Sequence, residues 1–129
     1  MVVFTPLEHE LCVKMFDFQK LIVYQKAVDF FSSVSKSIIK KKIADRFAND
    51  QLKRAIMSIS LNIAEGSSRF SNADRRHFYT IARGSLYECV AIIDLLHRDE
   101  LIDEITKINF SANALEISKM LYTLEKQLK

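Results

Sequence analysis

Tryptophan is absent from the 129-residue sequence, glycine and cysteine occur twice each, and proline occurs once, as Pro6. So few turn formers leave almost nothing from which to build hairpins, which argues against an all-β fold. Helices joined by short connections are the remaining economical architecture. Cys12 and Cys89 stand far apart, without the paired spacing of a metal site or a disulfide framework, and read as reduced thiols of a cytoplasmic protein. No apolar run approaches the roughly 18 residues of a membrane span. The opening MVVFTPLEHELCVKM lacks the basic start and long apolar stretch of a secretory signal. No membrane role follows from this sequence.

What is present is apolar and charged in globular proportion, 49% hydrophobic and 27% Asp, Glu, Lys and Arg. The length suits one domain with a real core. A net charge of +3 hides an uneven distribution. Residues 35–87 carry eleven Lys and Arg against four acids, a net of +7, whereas residues 88–129 sum to −3. A basic middle and an acidic end suggest a polyanionic partner for the middle.

The stretch Asp50–Gly66, DQLKRAIMSISLNIAEG, organises the chain. Leu52, Ala55, Ile56, Ile59 and Ile63 follow the i, i+3, i+4, i+7 spacing of a helix face. Met57, Leu61 and Ala64 form a second stripe on nearly the opposite side, with Arg54, Ser58, Asn62 and Glu65 between them. A helix that is apolar on two sides needs two partners, and so short a chain offers one core. The second stripe is therefore expected to meet another copy. Gly66 suits a left-handed cap at the end of this helix.

Residues 1–17 read as an extension, the regular pattern beginning just after Met15, and residues 18–129 as the folded domain. A first helix is expected over 18–43 with Tyr24, Ala27, Val28, Phe31, Val34 and Ile38 inward. Its Lys40-Lys41-Lys42 run complements the helix dipole, or alternatively forms a phosphate-binding patch. A third helix, capped by Ser71 or Asn72, runs to about His97 with Phe78, Ile81, Ala82, Ser85, Cys89, Ile92 and Leu96 inward. Gly84 and Ser85 in its middle suggest close approach of a neighbouring helix. A fourth helix shows a seam of Phe110, Ala114, Ile117, Leu121, Leu124 and Leu128. Ile105, Ile108, Ala112, Leu115 and Tyr122 fall on its other side. The expected fold is all-α, an antiparallel up-down-up-down four-helix bundle.

No catalytic or metal constellation stands out. Glu-x-x-His never occurs, Asp94-x-x-His97 occurs once near a helix end, and Gly66 and Gly84 are too isolated to cradle a phosphate. Glu65 reads as the ion-pair partner of Arg54 or Arg69. The reading is of a non-enzymatic protein without cofactor. Lys53, Arg69, Arg75, Arg76 and Arg83, interleaved with Phe70, His77 and Tyr79, are the candidate contacts to nucleic-acid phosphates.

Residues 50–55, DQLKRA, with Ser58-Ile59 and Asn62-Ile63-Ala64-Glu65-Gly66, resemble the signature of the helical proteins encoded in intervening sequences of 23S ribosomal RNA genes. Arg69, Ser71, Ile81-Ala82-Arg83-Gly84-Ser85-Leu86 and Glu88 continue the pattern, and Phe18–Ala27 is similar to the family's start. Ser60, Arg75 and His77 depart from it, standing where proline, an apolar residue and arginine are common. The resemblance implies a four-helix bundle assembling as a ring-shaped homopentamer, without established catalysis. It implies ribosomal RNA or another nucleic acid as partner. Through similarity to accessory proteins of diversity-generating retroelements, it also implies a reverse transcriptase as a possible protein partner. Asn62, Glu65, Gly66, Gly84 and Ser85 are then structural. Met57, Leu61, Ala64, Ile105, Ile108 and Leu115 are the candidates for the subunit interface.

Overall fold

The computed structural model describes residues 16–129, so the expected extension lies outside the described residues except for Phe16 and Asp17. Four helices are present and, among the described residues, no strand. We label them α1 (Ile22–Val34), α2 (Arg46–Ser68), α3 (Asn72–Arg98) and α4 (Glu104–Gln127). Each helix packs on its neighbours in the order α1, α2, α3, α4 and back to α1, and the diagonal pairs do not approach. Cross-contacts fix the directions. Ser58 meets Ser85 while Gly66 meets Tyr79, Arg83 meets Glu125 while Arg76 meets Leu128, and Phe30 meets Phe110 while Lys26 meets Glu116. Consecutive helices are antiparallel, and the molecule is a four-helix bundle.

Local chemistry sets the ends. Asp45, Ser71 and Asp103 each accept an N–H three residues on, from Ala48, Asp74 and Thr106, at 2.8, 3.1 and 2.8 Å. Thr106, by its side chain first and then its backbone N–H, holds the Asp103 carboxyl below its ordinary range. That cap is complete at neutral pH and is lost as pH falls through the lowered value.

The first helix departs from the expected 18–43 span. A separate 3₁₀ turn occupies Asp17–Lys20, extended Leu21 breaks the chain, and α1 passes into a π-helical turn at Ser35–Ile39. Its buried stripe is Val23, Ala27, Phe30, Val34 and Ile38; Tyr24 and Phe31 are half-buried and Val28 is exposed. A turn with Lys42 at φ 53° then reverses the chain into Asp45, so α2 begins four residues before Asp50. On α2 the expected core of Leu52, Ala55, Ile56, Ile59 and Ile63 is buried, as expected from its spacing. On α3 the core is Tyr79, Ala82, Leu86, Cys89, Ile93 and Leu96. Ile81 faces solvent, whereas Phe78, Ser85 and Ile92 are half-buried flanks. The centre of the buried face therefore lies about one residue later than the spacing suggested. On α4, Phe110, Ala114, Ile117 and Leu121 are buried and Leu124 and Leu128 pack against them.

Gly66 is not a left-handed cap. No glycine has positive φ, α2 continues two residues further, and a Cβ at Gly66 would lie 2.9 Å from the Tyr79 ring. The glycine is required by the approach of α3. Gly84 shows the reverse: it is exposed, and a Cβ there would meet nothing within 4 Å. The close approach expected at Gly84 is therefore absent within the subunit.

Cys89 is fully buried, and burial, aided by Glu88, pushes its thiol up to about 12. Little thiolate exists at pH 8, so Cys89 in a Cys12→Ser chain should resist a disulfide reagent until the protein unfolds. Prompt labelling of the native chain would remove Cys89 from the core.

Candidate nucleic-acid interface

Of the five cations expected to bind phosphate, Arg69, Arg75, Arg76 and Arg83 lie in the half of the bundle that holds the α2–α3 connection, where each already serves the fold, whereas Lys53 lies near the start of α2 in the other half. Arg69 donates from Nη2 to Glu65 Oε1 at 3.0 Å and lies 4.7 Å over the Phe78 ring. Arg75 donates from Nε to the Arg69 carbonyl at 2.6 Å, tying the start of α3 to the connection before it. Arg76 donates from Nη1 to the Leu128 carbonyl at 2.9 Å, which satisfies an orphan acceptor at the end of α4. Arg83 pairs with Glu125 at 2.8 Å and sits 5.6 Å from the Tyr122 ring centre. Among the candidates only Lys53 is exposed with no carboxylate in range among the described residues.

The motif residues sit beside this junction. Asn62 Nδ2 donates to the Ser58 carbonyl at 2.8 Å and to Ser58 Oγ at 2.9 Å, and Ser58 Oγ lies 2.7 Å from Ser85 Oγ. The chain of hydroxyls and amide joins α2 to α3 where both are half-buried. Glu65 faces Arg69 rather than Arg54.

The uncommitted charge lies at the opposite end. Lys36, Lys40, Lys41, Lys42 and Arg46 surround the α1–α2 turn, all exposed and none within ion-pair range of an acid among the described residues. The turn that carries them is pinned: Lys40 N–H donates to the Ser35 carbonyl at 2.8 Å and Lys42 N–H to the Ile39 carbonyl at 3.1 Å. Long cationic side chains are thus held on a fixed backbone. The sequence marked Lys40–Lys42 as one of two alternatives and passed over Lys36 and Arg46, which differ from the arginines only in lacking a partner in the fold.

Residues 19–123 match the model of the 23S rRNA-intervening sequence protein family. The chain belongs to this family. It is also similar in structure to a crystallised protein of unknown function from the S23 ribosomal protein family of Bacteroides thetaiotaomicron VPI-5482. The TM-score is 0.73 at 25% identity, over 81% of this chain and 96% of that one. No curated protein matches the sequence. For this member of the 23S rRNA-intervening sequence family the remaining inventory is short. Among the described residues no three His, Cys, Asp or Glu side chains gather to hold a metal, and no helix is long and apolar enough to cross a membrane.

Of the interface candidates, Met57, Leu61, Ile105, Ile108 and Leu115 are exposed, and Ala64 is half-buried and borders one depression with Phe16, Phe18 and Leu61. The second stripes on α2 and α4 are bare surfaces of the subunit.

Proposed function

We propose that this chain is a non-catalytic, cytoplasmic helical protein that holds the phosphate backbone of structured RNA through the lysine corner between α1 and α2. It acts as a self-associated assembly, for which the family resemblance implies a ring of five. The observation that carries the reading is the cluster Lys36, Lys40, Lys41, Lys42 and Arg46, exposed on a fixed turn and in no ion pair among the described residues. A mobile polyanion gains from such a surface by releasing condensed counterions, and repetition of the corner in an assembly multiplies the gain. Membership of a family tied to 23S ribosomal RNA genes agrees with RNA as the polyanion.

The test is binding of structured RNA and duplex DNA across a salt series. Affinity should fall steeply with salt, and Lys40→Glu, Lys41→Glu and Lys42→Glu together should flatten the slope by about 2–3. These lysines are better probes than Arg75 or Arg76, whose reversal also strips a donor from the fold. An unchanged slope would remove the corner from the interface. A protein that ignores both nucleic acids at low salt, yet captures a protein partner such as a reverse transcriptase after nuclease treatment, would be a scaffold instead.

A further inference from the structure

We propose that the outer ridge of α2 docks into the groove between α3 and α4 of a second copy of this chain. This rests on the self-association reading above and assigns the surfaces that meet. The two surfaces belong to different sides of one bundle, since α2 and α4 are diagonal. On α2 the positions farthest from the core are 47, 50, 54, 57 and 61, alternating by three and four as in a coiled-coil seam. Phe47, Met57 and Leu61 supply its apolar part and are 75%, 40% and 61% exposed. Opposite lies a groove of about 300 Å³ between α3 and α4, lined by Tyr87, Val90, Ala91 and Leu115 among others. Ile105, Ile108 and Leu115 repeat the seam spacing along α4 and are all more than half exposed. A helix ridge of this spacing fits between two helices that present the same spacing.

Charge selects the occupant and its direction. The ridge contains two charged residues, Asp50 and Arg54, one turn or about 6 Å apart. The α3 wall at the upper part of the groove carries Asp94, with Arg98 one turn beyond it, and Glu100 and Lys107 line the same depression; the order of charge along the ridge is matched to that α3 wall. None of Asp50, Arg54, Asp94 and Arg98 has an ion-pair partner among the described residues. Counted from the end that holds the α1–α2 and α3–α4 connections, the ridge reads minus, plus and the α3 wall reads plus, minus. Two copies docked with those ends alongside set Asp50 against Arg98 and Arg54 against Asp94. The inverted arrangement sets like against like. The contact is therefore heterologous, a ridge in a groove, and it leaves each copy one further ridge or groove with which to extend or close the assembly.

Light scattering on the full chain over a concentration series tests this. Arg54→Asp and Asp94→Arg should each raise the dissociation constant on the order of tenfold, and the two changes in one chain should restore most of the affinity. Leu61→Glu breaks the ridge and Leu115→Glu breaks the groove, so each alone should be monomeric. Their equimolar mixture retains one good ridge and one good groove and should give the mass of two chains. An unchanged mass for either variant, a mixture that stays monomeric, or a charge swap without rescue would overturn the assignment. Since all four residues are exposed, each variant should keep its helical circular dichroism, and loss of that signal would contradict the bare surface on which the proposal stands. A monomeric wild type would instead overturn self-association itself.

Discussion

Glu125→Leu should lower stability by about 2–4 kcal/mol, and Arg83→Met added to it should recover most of the loss. Glu125 is 8% exposed on α4, its Oε2 lies 2.8 Å from Arg83 Nη1, and its Oε1 is buried with no partner. Removing the carboxylate leaves the Arg83 guanidinium without a counter-charge in a site where its side chain is 26% exposed. That residual access lets the arginine turn partly to water, so the figure sits below what a fully buried cation would lose. Replacing both members by apolar side chains of similar length removes two desolvation penalties together, which explains why the double variant should approach the wild type. For a chain of this size the single variant corresponds to a fall in Tm of roughly 10 °C. Thermal unfolding of the four corners of the cycle measures the coupling. A double variant no more stable than Glu125→Leu would show that Arg83 is not the reason Glu125 matters.

The same pair shows what the sequence could and could not say. Periodicity identified four helices, and on α2 and α4 the longer and more regular of two apolar stripes, Leu52–Ile63 and Phe110–Leu121, is the buried one. On α3 two neighbouring registers keep helical spacing: Phe78, Ile81, Ser85 and Ile92 of the expected stripe each stand one residue before a buried position, Tyr79, Ala82, Leu86 and Ile93. The centre chosen from sequence was about one residue off for that reason. The π-helical turn at Ser35–Ile39 leaves no mark in residue type, so the end of the first helix was placed too far along. Charge was legible as a sum and not as an allocation. Arg69, Arg75, Arg76 and Arg83 count equally with Lys40–Lys42 in the net of +7; the pair of Arg69 with Glu65, four residues away, is legible in the spacing, but the Leu128 carbonyl and Glu125 reach Arg76 and Arg83 only through the fold. Arg76 and Leu128 are 52 residues apart in sequence. The arginines at the α2–α3 junction are thus the cations most used by the structure, and the lysines at the far corner are in no ion pair among the described residues.

Gly66→Ala and Gly84→Ala should move stability in opposite directions although both place alanine in a helix. Alanine is favoured over glycine in a helix interior by about 1 kcal/mol, because glycine loses more backbone freedom on folding. At Gly84 nothing stands in the way, so that full gain of about 1 kcal/mol should appear as a higher Tm. At Gly66 the new methyl carbon would lie 2.9 and 3.0 Å from two Tyr79 ring carbons and 3.1 Å from Phe78 Cβ. The Tyr79 ring is wedged in the core, 5% exposed, and Phe78 Cβ is fixed to the α3 backbone, so relief requires α2 and α3 to separate. Overpacking of this kind costs about 1–3 kcal/mol and outweighs the helix gain. Gly66→Val adds two further methyl carbons and should cost about 3 kcal/mol or more, the larger effect. Denaturant melts of the three variants settle the matter through the sign of each change. A stabilised Gly66→Ala would mean that the helices separate freely, and the contact of Gly66 with Tyr79 would then not be what selects glycine.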